Sequence, residues 1–374
     1  MRAVLFVLLL CVLPQTSVAQ ELVSDTVLTM KARAVEVLDS REEIVPGTDL
    51  AHTLQTLRAA IVSGPEKGAE IVIENDYLEL QAGDVFYLNH VTSNLDGTDY
   101  YVPVEKDRTM PLITLGVLFV AITILFGGMQ GFRGLIALAA SFFFIGILLS
   151  GIMQGYSPVL ISISIASFIV VIGSYITHGF TRTTSSAVIG MVLTIALTGL
   201  LAFLAIHFTS LTGYSGDEVT YLNLNTRGSI DLTGLLLGGI LIGLLGVLYD
   251  AAIGQAVSVE ELVRAAKHYS RRDVYQRALR IGREHVGALV NTLAIAYVGA
   301  SLPLLLLFFG SGPVDIGLTV NRELFATEIV RILVGSIGLI LTVPITTAVS
   351  VFMLYGRTFD GEALHGHSHG TIRE

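Results

Sequence analysis

LTGLLLGGILIGLLGVLYDAA, residues 232–252, carries one charge, Asp250, in a run long enough to cross a hydrocarbon core, which takes about 20 apolar residues as helix. Gly239, Gly243, Gly246, Asp250 and Gly254 follow one another at steps of four, three, four and four, which keeps them on one face of a 3.6-residue helix. A glycine face admits close approach of another helix, so the spacing predicts that Asp250 sits in a packed seam and points into a bundle. A carboxylate at that depth is costly unless paired, hydrated or protonated, which makes Asp250 the leading candidate site residue.

Six further apolar stretches lie on either side of this one: 111–126, 134–153, 159–177, 187–209, 288–309 and 327–355, the last with a kink expected at Pro344. The chain of 374 residues is 52% hydrophobic and only 14% charged, with a mean hydropathy of +0.71. A soluble chain carries about a quarter charged residues. The expected fold is therefore an α-helical polytopic membrane protein of about seven transmembrane helices, with the lipid bilayer as its main partner.

Residues 1–19 read as a cleaved secretory signal peptide: Arg2, a short apolar core, then Ser17, Val18 and Ala19 before the cut. The one cysteine, Cys11, leaves with it, so the mature chain has no thiol for a disulfide or a cysteine metal site. Residues 20–108 have ordinary hydropathy and an acidic balance, 7 Lys/Arg against 17 Asp/Glu, a net of 7 − 17 = −10. Alternation at Leu28, Met30, Ala32 and Ala34 reads as a half-buried strand, and 54–62, 71–74, 85–91 and 100–104 follow it between turn signals. Five short strands suggest a small all-β domain, an OB- or SH3-like barrel. Its negative charge argues against nucleic acid as a partner.

If the signal peptide exports that domain, the loops alternate, and the charges agree. Inward loops carry Arg133, Arg182, a basic run from Arg264 to Arg283, and the tail's Arg357 and Arg373; outward loops after the first span carry only Arg227, Arg322 and Arg331. The mature N-terminus is then expected outside and the C-terminus in the cytoplasm. The domain plan is 1–19 signal, 20–108 extracytoplasmic β domain, 109–357 transmembrane domain with a basic cytoplasmic loop at 256–286, and 358–374 a His-rich tail. The loop reads as one or two amphipathic helices along the interface, serving orientation or docking of a protein partner; the exported domain is the other candidate docking surface. Oligomeric state is not legible.

The sixth stretch carries Glu284, Gly287, Asn291, Ala294 and Ser301 on one broad face, and the seventh carries Glu328, Arg331, Gly335, Gly338, Thr342 and Thr346. Three small and polar faces are thus expected to meet around one axis, with Asp250, Glu284 and Asn291 toward the cytoplasm and Glu328 with Arg331 toward the exterior. The last two are one turn apart and can neutralise each other. Gly239, Gly243, Gly246, Gly254, Gly287, Gly335 and Gly338 are the expected helix-packing positions; helix-packing glue and a substrate or proton path are the two readings of the pattern. His178 and His207 read as interfacial residues. His365, His367 and His369 alternate in the tail and are the candidate metal ligands, although no carboxylate or cysteine framework fixes a geometry. No Walker A, His-Glu-x-x-His or Gly-x-Ser-x-Gly pattern occurs, and Tyr249-Asp250 has no second intramembrane aspartate for an aspartyl dyad. The chain is expected to be no enzyme and to need no cofactor.

Residues 243–262 (GLLGVLYDAAIGQAVSVEEL), 282–303 (GREHVGALVNTLAIAYVGASLP), and the segments NRE at 321–323, EIVR at 328–331 and VPIT at 343–346 resemble the YibE/F family of bacterial multi-pass membrane proteins. SGPEKG at 63–68 and GDV at 83–85 are similar to that family too, although His285 stands where its pattern carries an acidic residue. The resemblance implies an exported β domain followed by a helical region in the bacterial cytoplasmic membrane, and no established substrate. The functional expectation is a permease-like transporter of a small solute or ion, with Asp250 and Asn291 binding or coupling protons, Glu284 in support, and Glu328 and Arg331 as an outer gate or ion pair. The alternative is a non-transporting assembly or sensory factor whose β domain binds a protein or envelope component.

Overall fold

The computed structural model describes residues 25–357 apart from 45–46, 48–50, 95, 267 and 311–314. The signal segment with Cys11 and the tail with His365, His367 and His369 lie outside the described residues. Two compact units divide between Phe119 and Val120.

The first unit contains a five-stranded antiparallel sheet of β1 (Thr26–Ile44), β2 (Ala51–Ile61), β3 (Glu70–Asn75), β4 (Val85–Thr92) and β5 (Asp99–Lys106), in the order β3-β2-β1-β4-β5. β1 extends ten residues beyond the alternating segment because its two halves have different partners. Residues from Thr26 to Arg33 pair with β4, those from Ala32 to Ile44 pair with β2, and the register shifts after Ala34 and again after Val37. Extra residues at such bulges bend a strand and increase its twist. The inward alternates Ala32, Ala34, Leu57, Ala59, Phe86 and Leu88 form the core. Gly64 closes the turn after β2 at φ +96°, where an added Cβ would come 2.8 Å from the Met30 side chain.

Two side chains tie later segments to this sheet. Gln55, buried, accepts from Leu80 N–H at 3.0 Å and donates to Leu80 C=O at 3.2 Å. Lys31 on β1 reaches Asp107 beyond β5 at 2.7 Å, and Asp107 also accepts from Thr109 N–H at 3.0 Å. The Lys31 ammonium, with help from Thr109, holds the Asp107 carboxyl down at about 2, and the same bond raises Lys31.

The helices are α1 (Thr109–Met153), α2 (Pro158–His178), α3 (Arg182–Phe208), the short α4 (Asp217–Asn225), α5 (Leu232–Ala265), α6 (Arg271–Ala300), α7 (Leu302–Gly310), α8 (Ile316–Asn321) and α9 (Glu323–Leu354). Five of them are long and apolar enough to cross a membrane: α1, α2, α3, α5 and α9. The α6–α7 pair is a sixth such length, bent by 65°. Stretches 111–126 and 134–153, expected as separate spans, are the two halves of α1, which is interrupted between them at Gly128 with φ 51° and ψ −137°. Gly131 there lies against the Thr123 carbonyl, although eight residues of straight helix would separate them by about 12 Å; the chain turns back at a glycine pair that has no Cβ to obstruct it. Stretch 288–309 bends because Pro303, in the first turn of α7, has no N–H to continue α6. Pro344, by contrast, does not interrupt α9.

In the second unit α9 packs on α3, α5 and α6, and α5 packs also on α2 and α3. The α3–α9 contact is built from small residues. A Cβ on Gly190 would meet Thr346 Cα at 2.9 Å, one on Gly338 would meet Thr198 Oγ1 at 2.5 Å, and the Ser186 and Ser350 hydroxyls bond at 2.9 Å. α5 fills the centre with Leu237, Ile240, Leu241, Leu244 and Leu248, each at most 1% exposed.

The expected basic loop is mostly helix: α5 runs to Ala265 and α6 starts at Arg271, so most of residues 256–286 belong to the ends of these two long helices. Ser270 and Asp273 form a capping box that starts α6. Val259, Val274 and Ala278 pack on Val351 and Leu354 of α9, and Arg277 stacks on Tyr269 at 4.4 Å. Basic residues thus extend a packed bundle beyond its apolar length.

Gly190→Ala is expected to lower stability by about 1–3 kcal/mol, because a backbone atom of α9 must move. Gly146→Ala, where nothing lies within 4 Å, should be neutral or stabilising. Thermal unfolding of the detergent-solubilised protein reads both. Asp107→Asn should weaken the β unit at pH 7. Because the folded carboxyl titrates below its unfolded value, this contribution is complete above about pH 4 and disappears toward about pH 2. The urea midpoints of wild type and variant, followed by proteolysis of the β unit in the full-length protein, should converge across that window.

Candidate functional site

The glycine stripe of α5 faces the opposite way from the sequence expectation. Gly239, Gly243, Gly246, Asp250 and Gly254 are all exposed, and a Cβ on Gly239, Gly246 or Gly254 would find nothing within 4 Å. The leucine face is the one that α2, α3 and α9 cover, because a helix surrounded by neighbours needs side-chain volume to fill the gaps. Gly243 alone is occupied: the Tyr297 hydroxyl of α6 lies 2.5 Å from where its Cβ would be. Gly287 is open too, Gly335 touches Leu293 at 3.4 Å, and only Gly338 makes the expected close seam. The packing glycines missing from the sequence reading are Gly190, Gly238 and Gly282. Each sits in a step pattern no tighter than that of the exposed set.

The Gly243–Tyr297 contact sets the register of the antiparallel α5 and α6. Seven residues along each helix, about 10 Å, bring Asp250 level with Val290. Ala251, Leu289, Val290, Leu293 and Leu339 form an apolar cluster at that level. Asp250 therefore lies in the middle of α5, about 15 Å from Glu260, rather than near the hairpin end, because α5 continues for more than three turns past residue 252.

Asp250 and Asn291 are level but do not meet. Asn291 is two residues before Leu293, which packs inward on Gly335, and two residues turn a helix by about 200°, so Asn291 and Glu284 lie on the outer side of α6. The three polar faces do not converge on one axis. Asp250 is exposed on the same face of α5 as Gly243, seven residues before it, which meets Tyr297. At the height of Asp250 the α6 positions nearest to the Tyr297 side are Val290 and Ala294, whereas the exposed His285 and Thr292, about 120° and 140° round the helix from Tyr297, lie away from α5. The Tyr297 hydroxyl is buried and without a hydrogen bond. Thr292 donates to Ala288 C=O at 2.9 Å, and Asp250 has no hydrogen bond or ion pair among the described residues.

Glu328 and Arg331 do pair, Oε1 to Nη1 at 2.8 Å, with side chains 21% and 26% exposed. The guanidinium lies 5.9 Å from the Tyr297 ring and keeps a buried Nε without a partner. Two recesses open at opposite ends of the bundle. One of about 170 Å³ is lined by His178, Thr181, Thr184 and Glu260, the other of about 340 Å³ by His207, Ser210 and Asp231. Among the described residues no group of three or more His, Cys, Asp or Glu side chains is placed to hold a metal ion.

Long apolar helices that follow a β-sheet unit in the chain, with a carboxylate at mid-length of one, define a polytopic membrane protein. The model of the YibE/F-like protein family matches residues 115–356, about two thirds of the chain. The chain belongs to that family. The match spans the helical region and leaves the β unit outside it. Neither the curated proteins nor the solved structures compared with the chain give a match.

Glu328→Gln should leave the Arg331 cation without its counter-charge and cost about 1–2 kcal/mol, less than for a fully buried pair because both side chains are partly exposed. Glu328→Gln combined with Arg331→Met should recover part of that loss. Thermal unfolding of the two variants in detergent is the measurement.

Proposed function

We propose that this chain is a permease-like membrane protein that moves a small solute or ion along the exposed glycine face of α5, with Asp250 as the group that binds the solute or carries a proton. One observation supports this above the others: Asp250 is unpaired in the middle of an apolar helix, a position whose cost is offset when the carboxylate meets water, a proton or a charged ligand. The Glu328–Arg331 pair would restrict the far end. This activity is non-enzymatic and uses no cofactor.

In this reading the β unit is exported after signal cleavage, the hairpin end lies in the bacterial cytoplasm, and the basic residues there hold that orientation. The order β3-β2-β1-β4-β5, with β3 touching β5, supports closure into a small OB-type barrel. The second reading is an assembly or sensory factor whose β unit binds an envelope component. It is favoured by the filled centre of the α2–α3–α5–α9 bundle, whose recesses open only at its ends.

The test is uptake and efflux in sealed proteoliposomes, screened across protons, metals and small anions. Asp250→Asn is expected to lower the rate about tenfold or more, while Asn291→Ala, on the outer side of α6, should leave it within about twofold. Equal rates for wild type and Asp250→Asn would overturn the transport reading, and so would a flat screen.

A further inference from the structure

We propose that His90 is a proton-operated clasp that closes the β unit when its imidazole is charged and loosens it when the imidazole is neutral, so that the unit responds to the pH of the compartment it faces. The inference concerns the first unit alone and is independent of any transport along α5.

The clasp joins segments that the sheet itself keeps apart. His90 lies on β4, Asp99 and Tyr101 lie on β5, and Glu66 sits in the turn between β2 and β3; β1 separates β2 from β4 in the sheet. Glu66 Oε1 is 2.8 Å from His90 Nδ1, and Glu66 Oε2 accepts from the Tyr101 hydroxyl at 2.8 Å. Asp99 Oδ1 is 3.3 Å from His90 Nε2 and accepts from the Thr92 hydroxyl at 2.6 Å. The Tyr101 ring stacks on the imidazole, with 4.7 Å between centroids and 24° between planes, which restricts how the imidazole can turn.

Both imidazole nitrogens thus face a carboxylate. A neutral imidazole has one N–H, so it donates to Glu66 or to Asp99 and turns a lone pair toward the other. The imidazolium donates from both nitrogens, and hydrogen bonds between ionised partners are about twice as strong as neutral ones. Nε2 is the side that needs the second proton, because it is buried and makes no hydrogen bond. Glu66, Asp99 and Tyr101 are the titratable groups that face the ring, and among the described residues no other cation pairs with either carboxylate. The bond to Glu66 raises the Tyr101 hydroxyl above its ordinary range, so the phenol stays a donor and the imidazole is the group that changes. The contribution of the clasp is complete while the imidazole is charged and is lost as pH rises between about 5 and 8. Below about pH 4 the carboxylates take up protons and the clasp opens again, so closure is greatest at mildly acidic pH.

Hydrogen exchange of the full-length protein in detergent tests this, in peptides covering residues 64–69 and 99–103, after correction for the intrinsic pH dependence of exchange. Protection should fall about tenfold between about pH 5.5 and about pH 8. In His90→Gln, which cannot be charged, protection should be equal at the two pH values. Glu66→Gln keeps an acceptor for Nδ1 and a partner for Tyr101 while removing the charge. It should reduce the response to about threefold or less, and it decides the matter where His90→Gln does not fold. Wild-type protection that does not change with pH, or the full response in either variant, would overturn the proposal.

Discussion

The helical unit depends on how closely α3 and α9 approach each other. Gly190 against Thr346 and Gly338 against Thr198 bring the two backbones together at two levels, about eight residues apart on each helix, and the Ser186–Ser350 bond closes the seam toward the hairpin. Helices in lipid gain little from burying leucine, since the surrounding chains are as apolar as the bundle interior. Close backbone approach, and the dispersion contacts it allows, must do more of the work. The hydroxyls in this seam also bond their own helices: Thr194 to Gly190 C=O at 2.8 Å, Thr342 to Gly338 C=O at 3.0 Å and Thr347 to Val343 C=O at 2.6 Å. Thr198 and Thr346, which lie against the two glycines, keep buried hydroxyls without a hydrogen-bond partner.

Once α3 and α9 are fixed, α5 is confined to the space beside them, and its larger side chains must fill that space. This explains why Leu237, Leu241, Leu244 and Leu248 face inward and the glycines do not. Gln255 marks the boundary, donating to Ala278 C=O at 2.7 Å and to Thr347 Oγ1 at 2.8 Å, and so joins α5, α6 and α9 near the hairpin. Further along, Tyr297 meets Gly243 and Leu293 meets Gly335, so the three helices stay in contact over this length. Asp250 lies on the face of α5 that these neighbours leave exposed.

Much of the organisation was legible in the residues. The alternation around Met30, Ala32 and Ala34 gave the first strand, and each later strand falls within a few residues of its turn-bounded segment. The long apolar stretches became helices, and the i, i+3 spacing of Glu328 and Arg331 became an ion pair. The break at Gly128 falls in the interval that the sequence reading left between the stretches 111–126 and 134–153. The hairpin of α5 and α6 was missed because charge was read as a sign of surface helices, whereas Val259, Val274 and Ala278 place a buried stripe beneath that charge. The pairing of Asp250 with Asn291 failed on helix phase: each is polar and small-flanked on its own helix, but the direction a face takes is set by the neighbour it meets.

By itself the sequence determined that this chain enters a membrane, that a β unit precedes the helices, and that Asp250 is a carboxylate among glycines. These follow from hydropathy and periodicity, which act within one element. Only the tertiary structure decided which face of each helix is covered, that α5 turns leucines inward and glycines outward, and that Asn291 does not meet Asp250. Those outcomes depend on contacts between residues far apart in the chain, where close approach at a few glycines determines how much room every other side chain has.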